Sequence, residues 1–538
     1  MIIKLAIRFT LCALLSLLFL QVKAQVVYQT VQNKGIYDFL DELANEQIIT
    51  INAAIKPYSR QYIASRLKTA EFYSDNLNPR QKKELLFYLR DYNKEILNTR
   101  KFDNKRFDVF YYKDSLFTLS VNPIFGAWGA SNKNDINYTK YNGAQAFAYV
   151  GKNVGIYASL VDYYEKIRLA DTGIMTKNPG GVYKGTDHSE MRGGITVSWN
   201  WGNISLIKDY NEWGNYYSSP NIFSTKPPSF GQIKLRMNPV KWFEFNYIHG
   251  WLISDVIDSN RTYNYNGVQR NVFHDKCIAA NFFTFIPVEG LNLSIGNSIV
   301  YSDKFVHIPY LIPFMFYKSI DHTYNSATNF AGQNSQLFFD ISCRLIPKTH
   351  IFYSMYLDDL GMSRMFDKNQ HSNHWSMKWG SRISNLIFNT SFTFEYTRTN
   401  PLTYKNDNIT TLFNSNWYTL GHYLIDNSDE LYLAIDWKPH PKFIFKLCYQ
   451  QMRKGPDFKY ERIPDPLTVI KVWGRPFMST VEWKMSILGF HANYQILNDV
   501  FLYSSLEIRN QTGNQERYSS LFYQGNTTTF SAGFNYDF

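Results

Sequence analysis

From about Ser115 to its last residue, the chain alternates apolar and polar side chains with a period of two. Phe117, Leu119 and Val121 alternate with Thr118, Ser120 and Asn122, and Ile195, Val197 and Trp199 with Thr196, Ser198 and Asn200. Ile233, Leu235 and Met237 alternate with Gln232, Lys234 and Arg236, after which Asn238-Pro239 turns the chain into Phe243, Phe245 and Tyr247. Phe392, Phe394 and Tyr396 alternate with Ser391, Thr393 and Glu395. The end keeps the same beat: Phe530, Ala532, Phe534, Tyr536 and Phe538 are set against Ser531, Gly533, Asn535 and Asp537. Successive residues of a strand point to opposite faces, so each run reads as a strand with one apolar and one polar face. The polar members are too numerous for a sandwich that fills a dry core and also exposes a polar surface. Apolar faces on lipid and polar faces on a water-filled lumen fit the pattern, which is that of an all-β transmembrane barrel.

The N-terminus gives such a barrel its route. Lys4 and Arg8 precede an apolar run from Leu11 to Leu20, followed by Val22-Lys23-Ala24, the order of a cleaved secretory signal over residues 1–24. Later in the chain we find no apolar segment of the roughly 18 residues that a spanning helix needs. Aromatic residues make up 17% and charged residues 19% of the chain, a balance that suits strands with aromatic girdles at both interfaces. Without the signal's three basic residues the formal charge of +11 falls to +8, compatible with anionic glycans or lipopolysaccharide phosphates and equally with scattered solvated lysines. Cys277, Cys343 and Cys448 are too few and too dispersed for a disulfide framework or a zinc site.

Barrels of this kind have short periplasmic turns and longer outer loops. Short turns are expected at 151–153, 200–203, 238–240, 287–290, 347–350, 383–385, 439–442 and 498–499. Eight such turns, with both termini on the periplasmic side, imply about 18 antiparallel strands. Phe538 ends a closing strand that must pair with the first, and an aromatic terminus there resembles the signal read by the barrel-assembly machinery.

Residues 25–104 follow a different rule and are expected to form a small helical domain, with the barrel occupying 105–538. Phe39, Leu40 and Leu43 have helical spacing. Ser59 is a candidate N-cap for a helix carrying Ile63, Leu67 and Phe72 roughly on one face. Asn78, Pro79 and Gln81 form a capping-box-like start to a run through Leu85, Tyr88, Leu89, Tyr92 and Ile96.

Few constellations suggest chemistry. His371 and His374 are three apart, which on a strand sends them to opposite faces. His188, Ser189 and Glu190 are adjacent, and adjacent side chains on extended backbone diverge. Asp358-Asp359 lacks further oxygen ligands at regular spacing. We therefore expect no enzyme, no metal, no cofactor and no nucleic-acid partner. The stretch KDYNEWGNYYSSPNIFSTKPPSFGQIKLRMNP is more suggestive. It joins two strands and combines Lys208, Asn211, Asn215 and Lys226 with Trp213, Tyr216, Tyr217 and Phe223. Aromatic faces cover the apolar C–H surface of a sugar, while amides and amines take its hydroxyls or carboxylates. The same residues suit an interfacial girdle beside ordinary polar loop residues.

This stretch resembles the Wzi-type capsule-assembly family in its Trp-Gly block, Asn-containing loop and Pro-rich approach to the next strand. Three further stretches are similar: IYDFLDELANEQIITINAAIKPYSRQYIASRL, NSQLFFDISCRLIPKTHIFYSMYLDDL, and EYTRTNPLTY followed by NWYTLGHYL. Here Trp213-Gly214 is followed by Asn215-Tyr216 where many members have Pro-Gly. The resemblance implies an outer-membrane barrel of about 18 strands, with a helical bundle at its periplasmic end that partly covers the mouth, that acts as a lectin and holds capsular or extracellular polysaccharide to the surface of a Gram-negative cell. The expected partners are that polysaccharide, outer-membrane lipids with lipopolysaccharide, and the assembly machinery. The alternative is a diffusion channel or uptake porin, which an unobstructed lumen would favour.

Overall fold

Eighteen antiparallel strands among the described residues close on themselves. They are β1 (Phe117–Ser131), β2 (Ile136–Val150), β3 (Val154–Glu165), β4 (Asp187–Trp199), β5 (Gly202–Asp209) and β6 (Phe230–Val240). Next come β7 (Phe243–Leu252), β8 (Lys276–Val288), β9 (Leu291–Ser302), β10 (Asn334–Cys343), β11 (Thr349–Leu360) and β12 (Asn373–Ile387). The last are β13 (Thr390–Thr399), β14 (Ser428–His440), β15 (Phe443–Lys454), β16 (Trp483–Leu497), β17 (Val500–Gly513) and β18 (Thr527–Tyr536). The computed structural model describes residues 25–96, 108–303, 306–325, 333–360, 373–460, 462–463, 471–472, 475–497 and 500–536. The expected signal peptide, the 104/105 boundary, the 498–499 turn, His371 and Phe538 lie outside them.

The closing strand does what its alternation requires: β18 pairs with β1 from Phe530↔Ser131 to Tyr536↔Phe125. Facing follows the sequence pattern on most of the wall. Ile195 and Val197 are 43% and 45% exposed, whereas Thr196 and Ser198 are 0% and 2% exposed. The seven expected short turns that fall among the described residues lie at or beside junctions of the barrel's turn end, with two displaced. The strand β6 continues through Pro239 to Val240, because a register shift against Phe243–Phe245 absorbs the proline. The strand β12 continues to Ile387: the turn-like Asn385, at φ 51°, sits in a bulge, and Phe388 and Asn389, at φ 48° and 61°, make the junction.

The N-terminal residues form helices α1 (Lys34–Asn45), α2 (Arg60–Phe72), α3 (Pro79–Asp91) and α4 (Asn93–Ile96). The Ser59 hydroxyl caps α2 by accepting from the Tyr62 N–H, and Asn78 and Gln81 close a full capping box on α3. Phe39, Leu40, Leu43, Ile63 and Leu67 are fully buried in one core with Leu85, Tyr88 and Tyr92, whereas Phe72, expected on the same face, is 82% exposed at the last residue of α2, beyond the reach of that core. This unit docks into the turn end through polar contacts spread around the wall. The Tyr28 hydroxyl donates to Asn203 on β5 at 3.0 Å, and Asn52 to Thr284 on β8 at 3.3 Å. Arg344, after β10, donates to Asp41 and Asn45 at 2.8 and 2.7 Å. Lys438 on β14 lies 3.3 Å from Glu42 and 3.5 Å from Glu84, which Arg80 also pairs.

Candidate functional site

After the short β5 the chain turns into the barrel, so residues 210–229 cross the lumen. Glu212 and Trp213 pair in antiparallel register with Lys56 and Ile55 of the helical unit. Gly214 has φ 94°, and a Cβ there would stand 2.6 Å from the Ser354 hydroxyl, so only glycine makes this approach. The Asn215 N–H and Nδ2 then donate to the Asp340 carboxylate of β10 at 2.9 and 2.5 Å. The Tyr217 and Ser218 N–H groups donate to Glu395 of β13 at 2.5 and 2.7 Å, and Ser218 Oγ to Glu430 of β14 at 2.7 Å. Inward carboxylates of the wall thus accept hydrogen bonds from backbone, amide and hydroxyl donors of the loop, which fixes its path.

The segment divides the lumen. On one side Trp213, Ile222 and Phe223 pack with the inward Ile248, Ile278, Phe282, Phe338 and Tyr356 of β7–β11 and with Phe413 and Leu420 of the 400–427 loop. This half is a dry core, contrary to the expectation of polar inward faces throughout; its inward positions meet protein where a water-filled lumen would need polar groups.

On the other side, between β14 and β1, lies a cavity of about 500 Å³. Its wall presents Tyr432, Lys446, Gln450, His491, Tyr503, Glu507 and Arg509; Lys34 at the start of α1 and Tyr217 reach it from within, and Lys177 and Tyr518 from loops at the other end. Lys446 pairs with Asp436 at 3.2 Å, and Lys177 with Glu430 at 3.0 Å. The Arg509 guanidinium lies 3.5 Å from the Tyr523 ring centroid. Lys34 is exposed to the cavity, and enclosure by the surrounding wall, together with Lys446 and Lys177, lowers its pKa, while Glu212 and Asp38 oppose the shift. Tyrosine rings, an amide and cations around a wet cavity suit a hydroxylated, anion-bearing ligand.

The residues singled out from sequence do not form one surface. Trp213 and Asn215 are completely buried as clamps. Asn211 donates to Gln232 at 2.8 Å and accepts from Lys234 at 3.3 Å. Lys226 donates to the Thr176 and Asn178 carbonyls at 2.9 and 3.2 Å. Lys208 donates to Ser229 and the Met191 carbonyl, both at 2.6 Å. Tyr216 donates to Glu212 beneath Lys56, beside a smaller void that Tyr217 also lines. Of these residues, Tyr217 alone borders the large cavity. Sequence reading passed over its C-terminal lining. Strand parity would have found it, because exposed Leu447 places Lys446 and Cys448 inward. His188 stacks on Tyr163 while Ser189 donates to Asp162 at 2.5 Å, so that trio shares no reaction centre. His374 is buried in contact with Tyr460, and Asp358 accepts from Tyr404 N–H and Tyr356 OH. Cys277, Cys343 and Cys448 are free thiols.

No family model and no curated protein matches the chain. Solved structures match in fold. Wzi of Escherichia coli, described as a carbohydrate-binding outer-membrane β-barrel involved in group 1 capsule assembly, matches over 96% of this chain and 100% of its own, with a TM-score of 0.57 at 12% identity. OccAB2 of Acinetobacter baumannii matches over 78% of this chain and 97% of its own, with a TM-score of 0.43 at 10% identity. OprD of Pseudomonas aeruginosa matches over 78% and 92%, with a TM-score of 0.39 at 11% identity. The chain therefore has the fold of an outer-membrane β-barrel of 18 strands, its lumen entered by helices from one end and by a loop from the other.

Proposed function

We propose that this chain sits in the outer membrane of a Gram-negative cell, reached through a cleaved signal and the barrel-assembly machinery, and binds a capsular or extracellular polysaccharide so as to retain it at the surface. The observation that carries this reading is the cavity between β14 and β1, lined by tyrosines and cations inside a barrel that is blocked elsewhere. A sugar residue of the polymer would stack on Tyr432 or Tyr503 and place carboxylate or phosphate substituents near Lys34, Lys446 and Arg509. Weak sites of this kind retain a long polymer by repeated engagement. The carbohydrate-binding description of Wzi agrees with this reading. Binding without turnover is the activity we assign, since the nucleophile and base candidates of the sequence serve separate structural contacts.

The channel reading requires an open lumen, and the docked helices and the 210–229 crossing weigh against it. The test is deletion of the gene, followed by quantification of polysaccharide on cells and in the medium. Unchanged total polymer displaced into the medium is the expected result. An unchanged distribution overturns retention, and conductance of the purified barrel then decides for the channel.

A further inference from the structure

The lipid-facing rule fails on β7–β9. Tyr247, His249, Asn281, Asn297 and Tyr301 share the outward face with Phe283 and Ile295, in register Tyr247↔Asn281↔Asn297. Residues 306–325 cover this polar patch from outside. Asn281 Nδ2 donates to the carbonyls of Pro313 and Met315 at 2.9 and 2.8 Å, Asn297 Oδ1 accepts from the Tyr317 N–H at 2.9 Å, and the Tyr247 hydroxyl donates to the Tyr310 carbonyl at 3.0 Å. Phe314 stacks on Phe245 with centroids 4.4 Å apart. Phe245 pairs with Phe283 and Phe283 with Ile295, which is 44% exposed on the apolar belt, so Phe314 lies at the level of lipid chains. From there the helix 317–325 climbs to the rim, where Asp321 accepts from Gln333 N–H just before β10.

The outer side of this segment is amphipathic along its length. Ile312, Phe314 and Met315 are 44%, 53% and 40% exposed. Above them an open concavity of about 560 Å³ is lined by Phe316, Lys318, Ser319, His322 and Thr323. An apolar base at chain depth beneath cationic and hydroxyl donors at headgroup depth matches an interfacial amphiphile, with Lys318 snorkelling upward. We propose that the 306–325 segment is a binding site for a phosphorylated outer-leaflet lipid, its acyl chains on Ile312, Phe314 and Met315 and its phosphate at Lys318 and His322. The site is separate from the lumenal cavity and does not depend on the saccharide reading.

The test is native mass spectrometry of the full-length protein purified in neutral detergent. The probes are a bis-phosphorylated acylated glucosamine disaccharide, a neutral acylated glycolipid of equal chain length, and inorganic phosphate. The wild type is expected to retain the phosphorylated lipid at least ten-fold over the neutral one, K318Q/H322Q to lose that preference, and inorganic phosphate not to compete at equal concentration. Unchanged preference in K318Q/H322Q, or competition by phosphate alone, overturns the proposal. A nitroxide at M315C, with Cys277, Cys343 and Cys448 replaced, gives a readout independent of lipid retention: collision with oxygen over a water-soluble nickel complex is expected in bilayers, and the reverse order overturns the proposal.

Discussion

Lys226 shows how a single side chain can record whether the lumenal loop is in place. The residue is 4% exposed, and its ammonium donates to two carbonyls. Burial lowers its pKa from 10.5 to about 7, with Asp171 pulling weakly the other way. Between those two values the unfolded chain binds a proton that the folded chain does not, so stability rises with pH through that window. Below about 7 both states are charged, and the fold carries the full penalty of burying the ammonium. Urea unfolding of the wild type and K226M, each at pH 7 and pH 10, isolates this group: the wild type should gain stability relative to K226M as pH rises. A constant difference would mean that the ammonium is solvated and the loop lies elsewhere. Lys34 is affected in the same direction, so binding of a hexuronate oligomer should weaken at a lower pH than an ordinary lysine would impose, and K34Q should abolish that dependence in a fluorescence titration.

At the level of elements, two insertions are held in opposite ways. The 210–229 crossing rests on an apolar anchor: Trp213 is completely buried, with Phe223 at 4.9 Å and Phe282 at 5.6 Å between ring centroids. Truncation by W213A should cost about 3–5 kcal/mol of unfolding free energy, measured by denaturant titration in lipid vesicles. The helical unit rests on charge. Replacing Lys438 in K438M leaves the buried Glu42 and Glu84 sharing Arg80, and removing one partner from such a cluster costs about 3–5 kcal/mol. Faster proteolysis of 25–96 in K438M, with the barrel intact, is the expected outcome, and equal rates would show that the helices dock by other contacts. The helices were legible in the sequence because caps and spacing are local signals, as Asn78 and Gln81 demonstrate. The crossing was not legible. Trp213, Tyr216 and Tyr217 have the composition of a sugar-binding loop, and their actual partners, Ile55, Glu212 and His350, are set by tertiary contact. The inward apolar residues Ile278 and Phe282 were similarly ambiguous, since a strand with two apolar faces does not say whether protein or lipid lies on either side.

For the whole molecule, strand number followed from the period and the turns, but what fills the barrel did not. A barrel of 16 to 18 strands is wide enough for an aqueous channel, so closure here is imposed by the insertions. The helices and the 210–229 crossing obstruct the lumen one behind the other, along the same axis. Resistances in series add, so removing either obstruction leaves the other in control of the current. Deleting 25–96 alone, or shortening 210–229 alone to a four-residue turn, should therefore raise single-channel conductance in planar bilayers only slightly above that of the wild type. The double deletion should raise it far more than the sum of the two single effects, because both obstructions are then gone and the 400–427 loop is left against one side of the wall. If the loop deletion alone gave full conductance, the helices would stand aside from the pore axis, and a permeation path past them would have to join the cavity between β14 and β1. A wild-type barrel that conducts as well as the double deletion would mean that this cavity already connects the two ends, and the same tyrosines and cations would then line a route for small anionic solutes in place of a station for a retained polymer.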